Sequence, residues 1–146
     1  MILVALIIVA CSDGGTNSGD TKISAHNTNK SHNNGKNCIS CHREGGPGEG
    51  WFTVAGTIYD SSFTKTMANA TVKLYTGSDA TGTVKMTIEA DNYGNFYTTE
   101  PLTFGTGLYP VVYSANGDVQ FMGESLTLGN CNSCHGVSRD KIYVNF

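Results

Sequence analysis

Two five-residue stretches of this sequence could do chemistry, and they are built alike: Cys38-Ile39-Ser40-Cys41-His42 and Cys131-Asn132-Ser133-Cys134-His135. Two thiols at i and i+3 followed at once by an imidazole make the C-x-x-C-H pattern of covalent haem attachment. The cysteines add to the two vinyl groups of a porphyrin, whose separation matches thiols one turn apart. The histidine then lies under the ring and offers its imidazole to the iron as proximal ligand. The expectation is two haem c, with Cys38, Cys41, Cys131 and Cys134 as thioether anchors and His42 and His135 as proximal ligands.

Rival uses of these residues fit less well. A four-cysteine zinc site normally spaces its pairs about 15–20 residues apart, whereas residues 42–130 lie between these pairs. Neither zinc nor two local disulfides explains a histidine after both pairs. A thioredoxin-like redox pair needs a βαβ surround that neither motif has.

Each iron has a second axial position. The chain has four histidines, so His26 and His32 remain as distal candidates, which suits two bis-histidine haems. His32 is the better placed, because the Asn33-Asn34-Gly35 turn lets the chain double back towards Cys38, although the haem it would serve is open. The plain alternative, strongest for His26, is a solvated residue in a polar linker. Met122 is the alternative distal ligand for the second haem. Met86 alternates with Val84 and Ile88 and reads as core, and Met67 sits in a polar loop. Histidine–methionine ligation would raise the potential relative to bis-histidine. No acid–base pair neighbours either motif, so no catalytic residue is assigned; a dihaem peroxidase or reductase is the enzymatic alternative.

The elements that must position these groups are strands. The 146 residues include 18 Gly and 3 Pro, and 14% are charged, against about 25% in an ordinary soluble chain. This neutral polar excess suits a turn-rich β domain better than helices. A net charge of −3 provides no basic surface for nucleic acid. Val84, Met86 and Ile88 alternate with polar neighbours as one half-buried strand. Phe52, Val54, Gly56 and Ile58 make another, and Thr71–Tyr75 a third. Shorter strands are expected over Asn95–Thr99, Leu108–Ser114, Val119–Met122 and Leu126–Leu128, with turns at Ser78-Asp79, Gly82, Asp91–Gly94 and Asn116-Gly117. The alternation Ile142, Val144, Phe146 adds a terminal edge strand. The fold class is mainly β: an antiparallel, immunoglobulin-like β-sandwich flanked by two c-type haem-binding segments with little helix.

The expected organisation is a signal peptide over 1–10, a polar tether over 11–30, a haem 1 segment over 31–50, a β-sandwich over 51–128, and a haem 2 segment with terminal strand over 129–146. Met1–Ala10 is apolar throughout and fits the core of a secretory signal. Trp51 either covers haem 1 or plugs the sandwich end. An even number of strands between the motifs would put both haems at one pole, and an odd number would separate them by a strand length. The count of six or seven leaves this open, while two spare histidines near one motif favour proximity.

Three resemblances extend this reading. Ile8-Val9-Ala10-Cys11 resembles a bacterial lipobox, which implies lipidation at Cys11 and, with Ser12 next, an outer-membrane destination. Val54-x-Gly56-x-Ile58-x-Asp60, Asn69-Ala70-x-Val72-x-Leu74, Asp91-x-x-Gly94-x-Phe96 and Gly107-Leu108-Tyr109-Pro110-Val111 resemble carboxypeptidase-regulatory-like and collagen-adhesin B-type domains, which are immunoglobulin-like or prealbumin-like sandwiches. The whole chain resembles small dihaem c-type cytochromes of metal-reducing and sulfur-metabolising bacteria. That resemblance implies extracytoplasmic electron transfer in the cell envelope or at the cell surface, with redox proteins or other cytochromes as partners. The alternatives are a subunit of a polymeric cytochrome filament, in which His26 or His32 ligates a neighbour's haem, and an adhesion-like binding module.

Overall fold

The computed structural model describes residues 20–145. The expected signal over 1–10, the lipidation candidate Cys11 and Phe146 lie outside the described residues. The described residues are mainly β, with eight strands and two short 3-10 turns: β1 Val54–Tyr59, β2 Thr71–Tyr75, β3 Val84–Glu89, β4 Asn95–Thr98, β5 Tyr109–Tyr113, β6 Val119–Phe121, β7 Gly129–Asn130 and β8 Ile142–Tyr143. One sheet runs β3-β2-β5-β6, antiparallel throughout. In the other, β1 pairs with β4 antiparallel and with β7 and β8 in parallel. The inner faces meet in one core: Val54, Ile58 and Phe96 from the second sheet against Val72, Leu74, Met86, Ile88 and Val112 from the first. This is the two-layer solution that alternating sequences demand, since each sheet must bury one apolar face.

Most expected strands fall where the alternation puts them. Four details differ, each for a physical reason. Every residue of β1 is buried, not every second one, because an arm of preceding chain and both cysteine motifs cover its outer face. Val84 is exposed although in phase with Met86 and Ile88, since β3 is an edge strand and its register with β2 shifts at Leu74/Tyr75. Leu126–Leu128 forms no strand; only Leu126 bridges to Leu108, and pairing resumes at Gly129, which packs against the Thr53–Val54 backbone where a Cβ would not fit. The terminal strand shortens to Ile142–Tyr143 and runs parallel to β1.

The arm replaces the free tether expected up to residue 30. Ser24 is buried and donates its N–H to the Tyr97 carbonyl at 2.9 Å. The buried carboxylate of Asp91 accepts the Ser31 N–H at 3.2 Å, and the Asn95 amide donates to Asn34 Oδ1 at 2.8 Å. These bonds tie the arm to β4 and to the turn before it, and so fix the approach to Cys38.

Candidate metal centres

The two motifs fold identically. Cys38–Ser40 and Cys131–Ser133 are 3-10 turns. In each, the first cysteine's carbonyl accepts the N–H of the second cysteine, at 3.1 and 3.2 Å, and of the histidine, at 2.9 and 3.0 Å. The turn holds both thiols and the imidazole in one compact group.

Both histidines then make the same second bond. His42 Nδ1 lies 2.9 Å from the Glu49 carbonyl, and His135 Nδ1 lies 2.6 Å from the Asp140 carbonyl. A carbonyl only accepts, so Nδ1 carries the proton and Nε2 keeps its lone pair. This outer bond is what orients a metal-ligating imidazole and raises its basicity. Each motif presents the carbonyl on its own following loop. After His42 the chain passes through Gly46 and Gly48; a Cβ at Gly46 would strike the Cys41 carbonyl, and one at Gly48 would come within 2.8 Å of the His42 ring. After His135, the N–H groups of Ser138 and Arg139 fold back onto the Cys134 carbonyl, both at 3.0 Å.

His32 faces His42, with ring centres 5.9 Å apart. Two imidazole nitrogens each about 2 Å from one metal ion would put their ring centres about 6 Å apart. The turn expected at Asn33–Gly35 produces this approach: Asn33 and Gly35 have positive φ, and Lys36 N–H closes onto the Asn33 carbonyl at 3.0 Å. On its other side His42 stacks on Phe52 at 4.1 Å, and Phe52 on Tyr97 at 4.7 Å. Lys22 pairs with Glu49 at 2.7 Å. The hydrogen bond from Lys22, and then its charge, hold the Glu49 carboxyl below the usual carboxylate range.

His26 is placed differently. Its Nε2 meets the Ala70 carbonyl at 3.1 Å and Thr71 Oγ1 at 3.3 Å, and its Nδ1 lies 3.8 Å from Glu89 Oε1. Its Nε2 carries a proton for the Ala70 carbonyl, so the nitrogen that His42 and His135 keep for a ligand is here engaged with the sheet. The structure brings His32 to a motif and holds His26 against β2.

The second motif opens into a cavity of about 890 Å³, within the roughly 300–1,000 Å³ of small-molecule and cofactor sites. Cys131, Cys134 and His135 line it together with Val54, Leu74, Phe96, Val112 and Met122. Phe121 and Leu128, half or more exposed, stand at its wall. Burial pushes the Cys131 thiol up to about 12, and the neighbouring Cys38 and Cys134 add to the effect. The donor set and the apolar walls fit a porphyrin at this site. At the first motif, two buried polar atoms have no partner among the described residues: Trp51 Nε1 and Asn37 Oδ1. Such atoms suit a site that holds a further group.

The two motifs are neighbours, although seven strands separate them. β7 is only two residues long and runs beside the start of β1, so the chain leaves the sheet at Cys131, level with Gly56 and Thr57. Gly56 lacks the Cβ that would collide there with Phe96 and crowd Cys131. The arm reaches the same level, where Gly35 N–H donates to Thr57 Oγ1 at 2.9 Å. Asn132, buried inside the second motif, joins the two: its amide donates to the Lys36 carbonyl and to Thr57 Oγ1, both at 3.0 Å, and its Oδ1 accepts the Thr57 N–H at 3.2 Å. Strand parity misjudges this geometry because the motifs flank the middle of β1 and not the poles of the sandwich. In C-x-x-C-H Asn132 reads only as a spacer, and nothing in the motif marks it; the glycines after His42 were a readable sign.

Among the described residues no cluster of three or more His, Cys, Asp or Glu side chains is poised for a bare metal ion; a haem iron asks the protein for two axial ligands only. No helix of the described residues is long and apolar enough to cross a membrane. No protein-family model matches the chain, and neither a curated protein nor a solved structure does.

Proposed function

We propose that this chain is an extracytoplasmic dihaem c-type cytochrome, an electron carrier with no substrate of its own. The observation that carries the proposal is the repeated device around His42 and His135. Two separate C-x-x-C-H turns each hold an imidazole with Nδ1–H on a backbone carbonyl, which leaves the Nε2 lone pair for a ligand. A solvated histidine has no need of that arrangement, and its occurrence at both motifs and not at His26 follows from iron ligation.

When bound, each haem supplies a one-electron Fe(III)/Fe(II) couple, which accepts an electron from one redox protein and gives it to another. The chain's residues attach, orient and bury. Cys38 and Cys41 would anchor haem 1, with His42 and His32 as its iron ligands. Cys131 and Cys134 would anchor haem 2, with His135 as its proximal ligand. Asn132 and Thr57 hold the attachment turns side by side, which favours direct electron exchange between the two centres. An extracytoplasmic setting follows from covalent haem attachment and the apolar Met1–Ala10 stretch.

The reading is tested by producing the chain with an export signal in a host that attaches haem c. Two potentials should appear in a redox titration of the purified protein. Replacing His42 or His135 by alanine should alter one potential each. A protein without reducible haem would overturn the proposal.

A further inference from the structure

The two sites differ in what stands opposite the proximal histidine. His32 faces His42 at 5.9 Å. Among the described residues, His135 is the only histidine lining the cavity at the second motif. Two other polar residues there are already engaged: Lys141 donates to the Phe63 carbonyl at 2.9 Å and lies over the Tyr59 ring at 4.1 Å, and the Tyr143 ring packs edge-on against Phe63. Met67 and Met86 are buried in the sandwich core, and His26 gives its Nε2 to Ala70. One soft iron ligand remains at the cavity, Met122.

Its position is supported by the chain around it. Met122 follows β6, with its N–H on the Pro110 carbonyl at 3.1 Å. The segment from Met122 to Leu128 then runs along the cavity as a flap. Glu124 in that flap pairs with Arg139, at 3.1 and 3.3 Å to its two oxygens. Arg139 belongs to the loop that holds His135 Nδ1 through Asp140. This ion pair therefore clasps the flap to the loop of the proximal ligand, and both of its residues line the cavity. A thioether on a flexible, unbranched side chain can adjust to an iron between them.

Resting on the dihaem reading above, we infer that Met122 is the distal ligand of haem 2, so that the protein carries one bis-histidine haem and one histidine–methionine haem. Methionine ligation and apolar burial both raise a haem potential. Haem 2 is then the higher-potential centre, and an electron arriving at haem 1 moves on to it.

The test uses the full-length, haem-loaded chain with Met122→Ala and Met122→His variants. The unmodified protein should show the red charge-transfer absorption of a thioether-bound ferric haem and two separate potentials. Met122→Ala should abolish that absorption, lower only the upper potential, and let one haem per chain bind carbon monoxide. Met122→His should abolish the absorption and lower the upper potential without opening a carbon monoxide site, which keeps the test valid where the alanine variant folds poorly. An unmodified protein lacking the thioether absorption would overturn the assignment. So would variants with unchanged potentials, or a second bis-histidine haem that forms only as protein concentration rises, the mark of a histidine from a neighbouring copy. A pyridine-haemochrome spectrum on the same samples separates the two levels: two covalent haems without the methionine signature refute the ligand alone, and no covalent haem refutes the dihaem reading with it.

Discussion

The two C-x-x-C-H turns share the bonds to the first cysteine's carbonyl and the bond at the histidine Nδ1, yet they sit in different surroundings. The first lies outside the sandwich, held by an arm, a glycine loop and a stack of aromatic rings. The second is set into the sheet between β7 and β8 and opens onto the core. Local sequence decides the turn, because the hydrogen bonds to the first cysteine's carbonyl close within five residues. Context decides burial. Cys131 follows two residues of strand paired to β1, and Gly56 opposite leaves room for it. The same turn is thus held once by loops outside the sandwich and once between two strands that pair with β1.

The comparison breaks most visibly if the two haems are removed separately. On the dihaem reading, haem 2 would cover the exposed side chains of Phe121 and Leu128 at the cavity wall, and haem 1 would not. Cys131→Ala with Cys134→Ala should cost about 3 kcal/mol of stability for the apolar area left wet, or a fall in melting temperature of about 10 °C. Cys38→Ala with Cys41→Ala should cost less than half of that. Equal losses in thermal melts would remove the distinction between the two sites.

Asn132 is the next lever, because it belongs to both regions. Asn132→Ala strands the Thr57 N–H and the Lys36 carbonyl, at a cost of about 2 kcal/mol. Both haem potentials should shift together in a redox titration. A shift of one alone would show that the motifs are positioned independently.

A smaller and one-sided effect is expected at Gly48→Ala. The new methyl meets the His42 ring, and relieving the overlap costs about 1 kcal/mol. Electron paramagnetic resonance should report an altered first haem and an unchanged second one. The smallest effect belongs to Glu49→Gln. The Lys22 pairing depresses the folded-state carboxyl, so its contribution is present above the ordinary carboxylate range, about pH 4.3, and is lost as pH falls through the depressed value. The variant should flatten that part of the stability profile, with the difference vanishing at high salt.

Much of this was legible in the residues. The alternation at Thr71–Tyr75 and Asn95–Thr99 placed β2 and β4, Asn116-Gly117 placed the β5–β6 hairpin, and the Asn33–Gly35 turn placed His32. What escaped depends on contacts remote in sequence. The full burial of β1 comes from the arm and both motifs lying over it. The packing of residues 20–37 depends on Asp91, Asn95 and Tyr97, more than 50 positions away. The engagement of His26 Nε2 is set by Ala70, and no local pattern announces it. The adjacency of the motifs hangs on a strand of two residues, too short to read from alternation.

The most direct test of the account is the intact mass of the purified, exported chain together with its reduced pyridine-haemochrome spectrum. The account predicts a mass increase of two haems per chain, resistant to acid–acetone extraction, with the spectrum of haem joined through two thioethers. A chain at its bare polypeptide mass with four alkylatable thiols at Cys38, Cys41, Cys131 and Cys134 would contradict it.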